Sequence, residues 1–119
     1  MAEVTRVYKL PWPPSVNHYY RRVGWRTLIS REGRRYRTEV VARLAALPAC
    51  PMVGRLALSA ILCPPDRRQF DIDNRLKALL DALQHAAVLE DDGQIDELTV
   101  KRGPIVPGGE VRVEIRERT

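Results

Sequence analysis

The amino-acid sequence predicts an α+β fold, one domain over residues 1–119 with a small mixed β-sheet and two main helices. Three observations lead there. Apolar residues recur at helical spacing in two stretches. Strand-like runs separate those stretches in the order β, α, β, α, β, β. A chain of 119 residues also suffices for one hydrophobic core without staples.

The elements follow in turn. Val4 to Leu10 is rich in β-branched and aromatic residues and reads as a strand. Pro11-Trp12-Pro13-Pro14-Ser15 cannot be helical, because each proline removes a donor and restricts the residue before it. A basic, aromatic stretch from His18 to Arg37 is broken at Gly24 and Gly33. Within Ser30 to Leu47, the positions Tyr36, Val40, Val41, Leu44 and Leu47 make an amphipathic helix that ends before Pro48. Leu56 to Leu62 is a mostly buried strand, stopped by Pro64-Pro65. A second helix is expected over Asn74 to Ala86. Leu76, Leu79, Leu80, Leu83 and Ala87 form its apolar face, and Asp73 or Asn74 caps it. Glu90 to Gly93 is a turn, Ile95 to Arg102 a third strand, and Pro104 to Gly109 a turn-rich connection. Val111, Val113 and Ile115 alternate with charged residues, the mark of a half-buried strand.

Hydrophobic residues make up 45% and charged residues 29%, which excludes a disordered chain. No apolar run approaches the roughly 18 residues of a membrane-spanning helix. The opening Met1-Ala2-Glu3-Val4-Thr5-Arg6 does not read as a signal peptide, and Cys50 and Cys63 form no metal-type pair or disulfide framework. A reduced, cytoplasmic protein is the expectation.

Net charge is +5, and nearly all the bases are arginine, the residue suited to bidentate phosphate contact. The charge is segregated. Residues 66–96 hold eight acids and four bases, a net of −4, which leaves +9 elsewhere. An acidic island suits a polyanion-binding protein poorly unless a divalent cation makes it attractive to phosphate.

The acids gather at three points. Asp71 and Asp73 flank one residue, so an extended backbone would turn both to one face. Asp73, Lys77 and Asp81 fall at helical i, i+4 and i+8 spacing, on a polar stripe away from the leucines. Asp91 and Asp92 precede Gly93 in the turn after that helix. Two or three carboxylates suffice for Mg²⁺, which takes hard oxygen ligands, lowers the pKa of a bound water and stabilises a leaving oxygen. Lys77 would stand beside such a site and contact a phosphate. With only His85 near the acids, zinc chemistry is not expected. The same acids also read as a helix cap, a turn and a surface ion pair, and spacing does not choose between Asp91 and Asp92.

The stretch from His18 to Arg37 carries seven arginines and one acid, Glu32. Its Arg21, Arg22, Arg26, Arg31, Arg34 and Arg35, together with Asn17, Tyr20, Arg67 and Arg68, are the candidate DNA contacts. Arginines neutralise phosphates and aromatic rings stack on unpaired bases. Tyr36 belongs to the core, whereas Tyr19 and Trp25 read equally as core or contact residues. His18 and His85 carry no special signal.

Three segments now match one pattern in order. They are Leu10-Pro11-Trp12-Pro13-Pro14-Ser15-Val16-Asn17-His18-Tyr19-Tyr20, then Asp71-Ile72-Asp73-Asn74-Arg75-Leu76-Lys77 with Asp81-Ala82-Leu83, then Asp91-Asp92-Gly93-Gln94-Ile95. Over nearly its whole length the chain resembles the RusA family of Holliday-junction resolvases. The resemblance implies a homodimeric crossover junction endodeoxyribonuclease that uses Mg²⁺, with Mn²⁺ as a substitute, and cuts four-way DNA junctions by paired nicks in recombination and repair. It implies Asp71, Asp73 and Asp92 as metal-holding catalytic acids, Lys77 as their partner, and carriage by a prophage. Asn74 would orient Asp73 or cap its helix, and Asp91 would support Asp92 or stand in for it. Where the family often has Gly near the end of the second helix, this chain has Ala86-Ala87. The alternatives are a non-catalytic protein that binds branched DNA and a metal-dependent hydrolase of nucleotides or RNA. No glycine-rich phosphate loop is present, so no nucleotide cofactor is expected.

Overall fold

The computed structural model describes residues 4–47 and 50–118. Its elements are β1 (Thr5–Pro11), α1 (Val16–Tyr19), β2 (Tyr20–Val23), β3 (Arg26–Ile29), α2 (Arg31–Leu44), β4 (Leu56–Cys63), α3 (Leu76–His85), a 3₁₀ turn (Asp92–Gln94), β5 (Ile95–Arg102) and β6 (Glu110–Glu117). Four strands form one sheet in the order β1-β6-β4-β5. β6 lies antiparallel between β1 and β4, and β5 runs parallel to β4. The sheet is therefore mixed and the fold α+β, as expected.

Strands β1, β4 and β6 turn apolar residues inward. Leu10, Leu58, Ala60, Leu62, Val111, Val113 and Ile115 are buried against Tyr36 and Val40 of α2 and Ala78, Leu79, Ala82 and Leu83 of α3. Fully burying a side chain of this size stabilises by about 1.5–3 kcal/mol, so this layer is the main driving force. The expected face of the first helix needs correction. Val41 and Leu47 are exposed, because the helix turns Gly33, Tyr36 and Val40 to the sheet. The stop at Pro48 lies outside the described residues. In α3, Ala78 and Ala82 are buried while Leu76 and Leu80 are only half-buried, and Ala87, expected on the same face, lies beyond the helix end and is exposed. Small residues let the helix sit close on the strands.

The stretch between the proline block and α2 holds structure that its composition hid. β2 and β3 pair in a two-stranded hairpin, Tyr20 with Ile29 and Val23 with Arg26, outside the main sheet. Ser30 joins this arm to α2. Its hydroxyl accepts from Gly33 N at 2.9 Å as a helix cap and donates to the Tyr19 carbonyl at 2.9 Å. A Cβ at Gly33 would meet that same carbonyl oxygen at 2.6 Å, so only glycine allows the approach.

One polar cluster ties the helices together. The Asp81 carboxylate of α3 accepts from the Tyr19 hydroxyl and, at 2.8 Å, from Arg37 Nε of α2. Burial, followed by the bond to Asp81, pushes the Tyr19 hydroxyl well above the ordinary phenol range. Asp81 thus serves packing. The expected Asp73–Lys77–Asp81 stripe does not form, because Asp73 lies in the turn before α3 begins.

The end of α3 is set by Ala87, which takes φ 61°, the only non-glycine residue with positive φ among those described. A Cβ in this conformation costs about 1–2 kcal/mol. Ala87→Gly is expected to raise stability by about 1 kcal/mol, measured by urea denaturation. Asp81→Ala, which strands a half-buried guanidinium, is expected to lower it by about 2–4 kcal/mol in the same experiment.

Candidate active site

The proline block and the first acid pair, far apart in sequence, lie side by side. Val16 N donates to the Asn74 carbonyl at 2.7 Å. Arg75 Nη1 donates to the Pro13 carbonyl at 2.6 Å, and its guanidinium carbon lies 4.7 Å from the Trp12 ring centre. Trp12 in turn meets Phe70 edge to face at 5.2 Å. Residues 71–75 wind as consecutive turns, with Asn74 N donating to the Asp71 carbonyl at 3.2 Å and Leu76 N to that of Asp73 at 3.3 Å. This corrects the expected cap. Arg75 occupies the cap position of α3, and neither Asp73 nor Asn74 lends it a side chain. The Asn74 carbonyl is turned to α1, so docking of α1 shapes the turn.

A cleft of about 240 Å³ opens here, lined by Ser15, Gln69, Phe70, Asp71, Asn74 and Arg75. It has room for roughly eight waters at about 30 Å³ each, enough for a hydrated phosphate group. Arg75 escaped notice in the sequence, although it stands inside the Asp71–Lys77 segment. Its environment is unusual, since its Nε is buried without a hydrogen-bond partner among the described residues. Burial lowers its pKa from the ordinary guanidinium value, against the pull of Glu32.

The third acid lies elsewhere. Asp91 caps the 3₁₀ turn, accepting from Gly93 N at 3.3 Å while Gln94 reaches back to the Asp91 backbone. That capping box occupies Asp91 and leaves Asp92 as the free acid of the pair. Asp92 N donates to Gln84 Oε1 at 3.1 Å, which fixes it beside the C-terminal end of α3. Asp71 and Asp73 precede the N-terminal end of the same helix. Ten residues of helix span about 15 Å. Two oxygens on one Mg²⁺ stand within about 4.2 Å of each other. Accordingly, among the described residues no three His, Cys, Asp or Glu side chains gather closely enough to hold a metal ion. The structure brings Asp71 and Asp73 together on one turn and keeps Asp92 at the far end of α3.

The donor set nevertheless fits a hard cation. Asp71 and Asp73 are exposed and Asp92 half-buried. Among the described residues their carboxylates accept no hydrogen bond and join no ion pair, unlike Asp81, Asp91 and Asp96. Lys77 is exposed in the first turn of α3.

The candidate DNA contacts distribute over one arm and its surroundings. Arg21, Arg22 and Arg26 lie exposed on the hairpin, and Trp25 at its tip is 89% exposed. Arg31, Arg34 and Arg35 are exposed in the first turns of α2, where Arg34 donates to the Ile29 carbonyl at 2.9 Å. Arg67 and Arg68 are exposed in the segment leading to Asp71, and Asn17 is exposed on α1. Tyr20 is half-buried, with its ring edge-on to Tyr19 at 5.0 Å. Tyr19 itself is fully buried and belongs to the core.

The family described as endodeoxyribonuclease RusA matches residues 11–116. The chain is 43% identical over 111 residues to the crossover junction endodeoxyribonuclease rusA of Enterobacteria phage HK97, covering 92% of each chain. It is 40% identical over 113 residues to the crossover junction endodeoxyribonuclease RusA of Escherichia coli (strain K12), covering 91% of each. The same identity and coverage hold for the crossover junction endodeoxyribonuclease rusA of Enterobacteria phage 82.

Proposed function

The chain belongs to the endodeoxyribonuclease RusA family and is a crossover junction endodeoxyribonuclease, and we propose that it resolves four-way DNA junctions as a Mg²⁺-dependent homodimer. The observation that supports the chemistry most directly is the state of the acids. Among the described residues, Asp71, Asp73 and Asp92 carry no side-chain partner, although the chain is rich in arginine. Carboxylates left unpaired in a basic protein keep their charge for a cation.

Asp71 and Asp73 would hold Mg²⁺ from one side and Asp92 from the other. Bound there, the ion supplies an activated water and charge stabilisation for the leaving oxygen. Because the acids stand at opposite ends of α3, one chain cannot surround one ion with all three. A two-fold pair can, with the Asp71–Asp73 turn of one protomer meeting the Asp92 of the other. The same symmetry yields two sites, as paired nicks across a two-fold junction require. Lys77 lies in the first turn of α3, four residues after Asp73, and would donate to the scissile phosphate. Asn74 lines the cleft beside Asp71, and Asp91 shapes the turn that presents Asp92.

The hairpin arm supplies the grip. Arg21, Arg22 and Arg26 would neutralise phosphates, and Trp25 would stack on bases exposed where the arms of the junction meet. Arg31, Arg34, Arg35, Arg67, Arg68, Asn17 and Tyr20 extend that contact around the acid turn. We propose a cytoplasmic location on the strength of the free Cys50 and Cys63. No helix of the described residues is long and apolar enough to cross a membrane. The phage source of two relatives supports carriage by a prophage.

The test uses synthetic four-way junction, linear duplex and single-stranded RNA, each with Mg²⁺, Mn²⁺ or EDTA. Symmetric nicking of the junction alone is expected, abolished by EDTA. Asp73→Asn is expected to lose at least about 100-fold in cleavage rate while keeping junction affinity within about threefold. Binding without cleavage in every divalent metal would return the protein to a non-catalytic junction binder.

A further inference from the structure

We propose that the outer edge of β5 is the surface on which a second copy of this chain docks, by antiparallel pairing of the two β5 strands about Thr99. The inference rests on the homodimer reading and names its interface.

β5 is the last strand of the sheet and bonds on one side only, to β4. Such an edge presents a row of backbone groups ready to pair with another strand. Its side chains are exposed along most of its length, and Leu98 is 44% exposed. The sequence Ile95-Asp96-Glu97-Leu98-Thr99-Val100-Lys101-Arg102 is divided by charge, with acids in the first half and bases in the second. Antiparallel pairing about Thr99 sets Glu97 opposite the partner's Lys101, Asp96 opposite the partner's Arg102, and Leu98 opposite the partner's Val100. Directly opposed residues share a face and interact. Parallel pairing of the same strands would set like charge on like.

The apolar pair falls on the correct side. Leu98 and Val100 are aligned with Leu58 and Ala60 of β4, whose side chains lie in the core under the helices. Pairing therefore continues that layer across the two-fold axis. The acidic half is already held in place. Asp96 is bonded to Arg55 and, at 3.1 Å, to Arg118, and Glu97 lies 3.5 Å from Arg116.

Direction is the decisive point. Arg102 at the end of β5 stands 4.6 Å over the Phe70 ring, which adjoins Asp71. Asp92 precedes the start of β5. Reversing one β5 against the other thus brings the Asp71–Asp73 turn of each protomer to the same end of the joined sheet as the partner's Asp92. The opposite edge, β1, offers neither feature. It carries Arg6 and Lys9 with no acid, and β6 separates it from the β4–β5 pair. Charge on an edge strand can also serve to prevent pairing, and the experiment distinguishes the two.

The full-length chain in a Cys50→Ser background takes Thr99→Cys and is oxidised mildly. At the two-fold axis the Cβ atoms lie about 4.5–5.5 Å apart, where small adjustments allow a disulfide. Most of the protein is expected to become a covalent dimer. Lys101→Cys is expected not to cross-link with itself, since its copies are offset by four residues, about 13 Å. Mixed with Glu97→Cys, it is expected to cross-link. By sedimentation, Leu98→Lys is expected to halve the mass from two chains to one without loss of circular-dichroism signal. A wild-type dimer in which Thr99→Cys fails to cross-link and Leu98→Lys stays dimeric overturns the β5 surface and leaves the homodimer standing. A wild-type chain that sediments as a monomer, alone and on a four-way junction, overturns both.

Discussion

Parallel strands cannot be joined by a tight turn, and β4 and β5 are parallel. Their connection must travel back along the sheet before the second strand begins. Here it leaves β4 at Cys63, passes through the acid turn, returns as α3, and reaches Asp92 before entering β5. The carboxylates are therefore separated by the crossover itself. No side-chain rotation removes a distance of about one ten-residue helix. Two otherwise puzzling features follow from this constraint. Asp71, Asp73 and Asp92 stay unpaired among the described residues, and the three motifs of the sequence converge on two places instead of one.

Rigid packing holds the first of those places. The Asp71–Arg75 turn makes few helical bonds of its own and depends on the proline block for its shape. Val16 N takes the Asn74 carbonyl, and Arg75 is held between the Trp12 ring and the Pro13 carbonyl. A guanidinium suits this position because it stacks flat on an aromatic ring while donating in its own plane. The proline block can serve as a wall because its backbone is stiff and its missing N–H groups need no partners. Behind the wall, Tyr19, Arg37 and Asp81 lock α1, α2 and α3 to one another. The hairpin arm hangs from this lock through Ser30. Acid turn and arginine arm are thus positioned by the same helices.

Much of the scaffold was legible from pattern. Val111, Val113 and Ile115 alternate, and β6 buries all three. Ile95–Arg102 forms a strand over the expected residues, and both main helices lie where their leucines and valines recur. What pattern missed has physical causes. The β2–β3 hairpin is hidden because its strands bury almost nothing, so no alternation of apolar and polar residues marks them. The caps were misread because Asp73 and Asn74 have the chemistry of a cap while the Asn74 carbonyl is turned to α1. Asp81 looked like one more member of an acidic island, but a carboxylate facing Tyr19 and Arg37 is a clamp.

By itself, the sequence determined the class of fold, the family motifs and the candidate residues of the site. These depend on local period, composition and residue type, which a chain carries at every position. The family pattern favours Asp92 over Asp91, and in the structure the Asp91 carboxylate accepts from Gly93 N. Only the tertiary structure decided where the acids stand. Direction of a strand relative to its neighbour is a long-range property, set by which edges find each other when the core closes. That direction places Asp71 and Asp73 at one end of the sheet and Asp92 at the other.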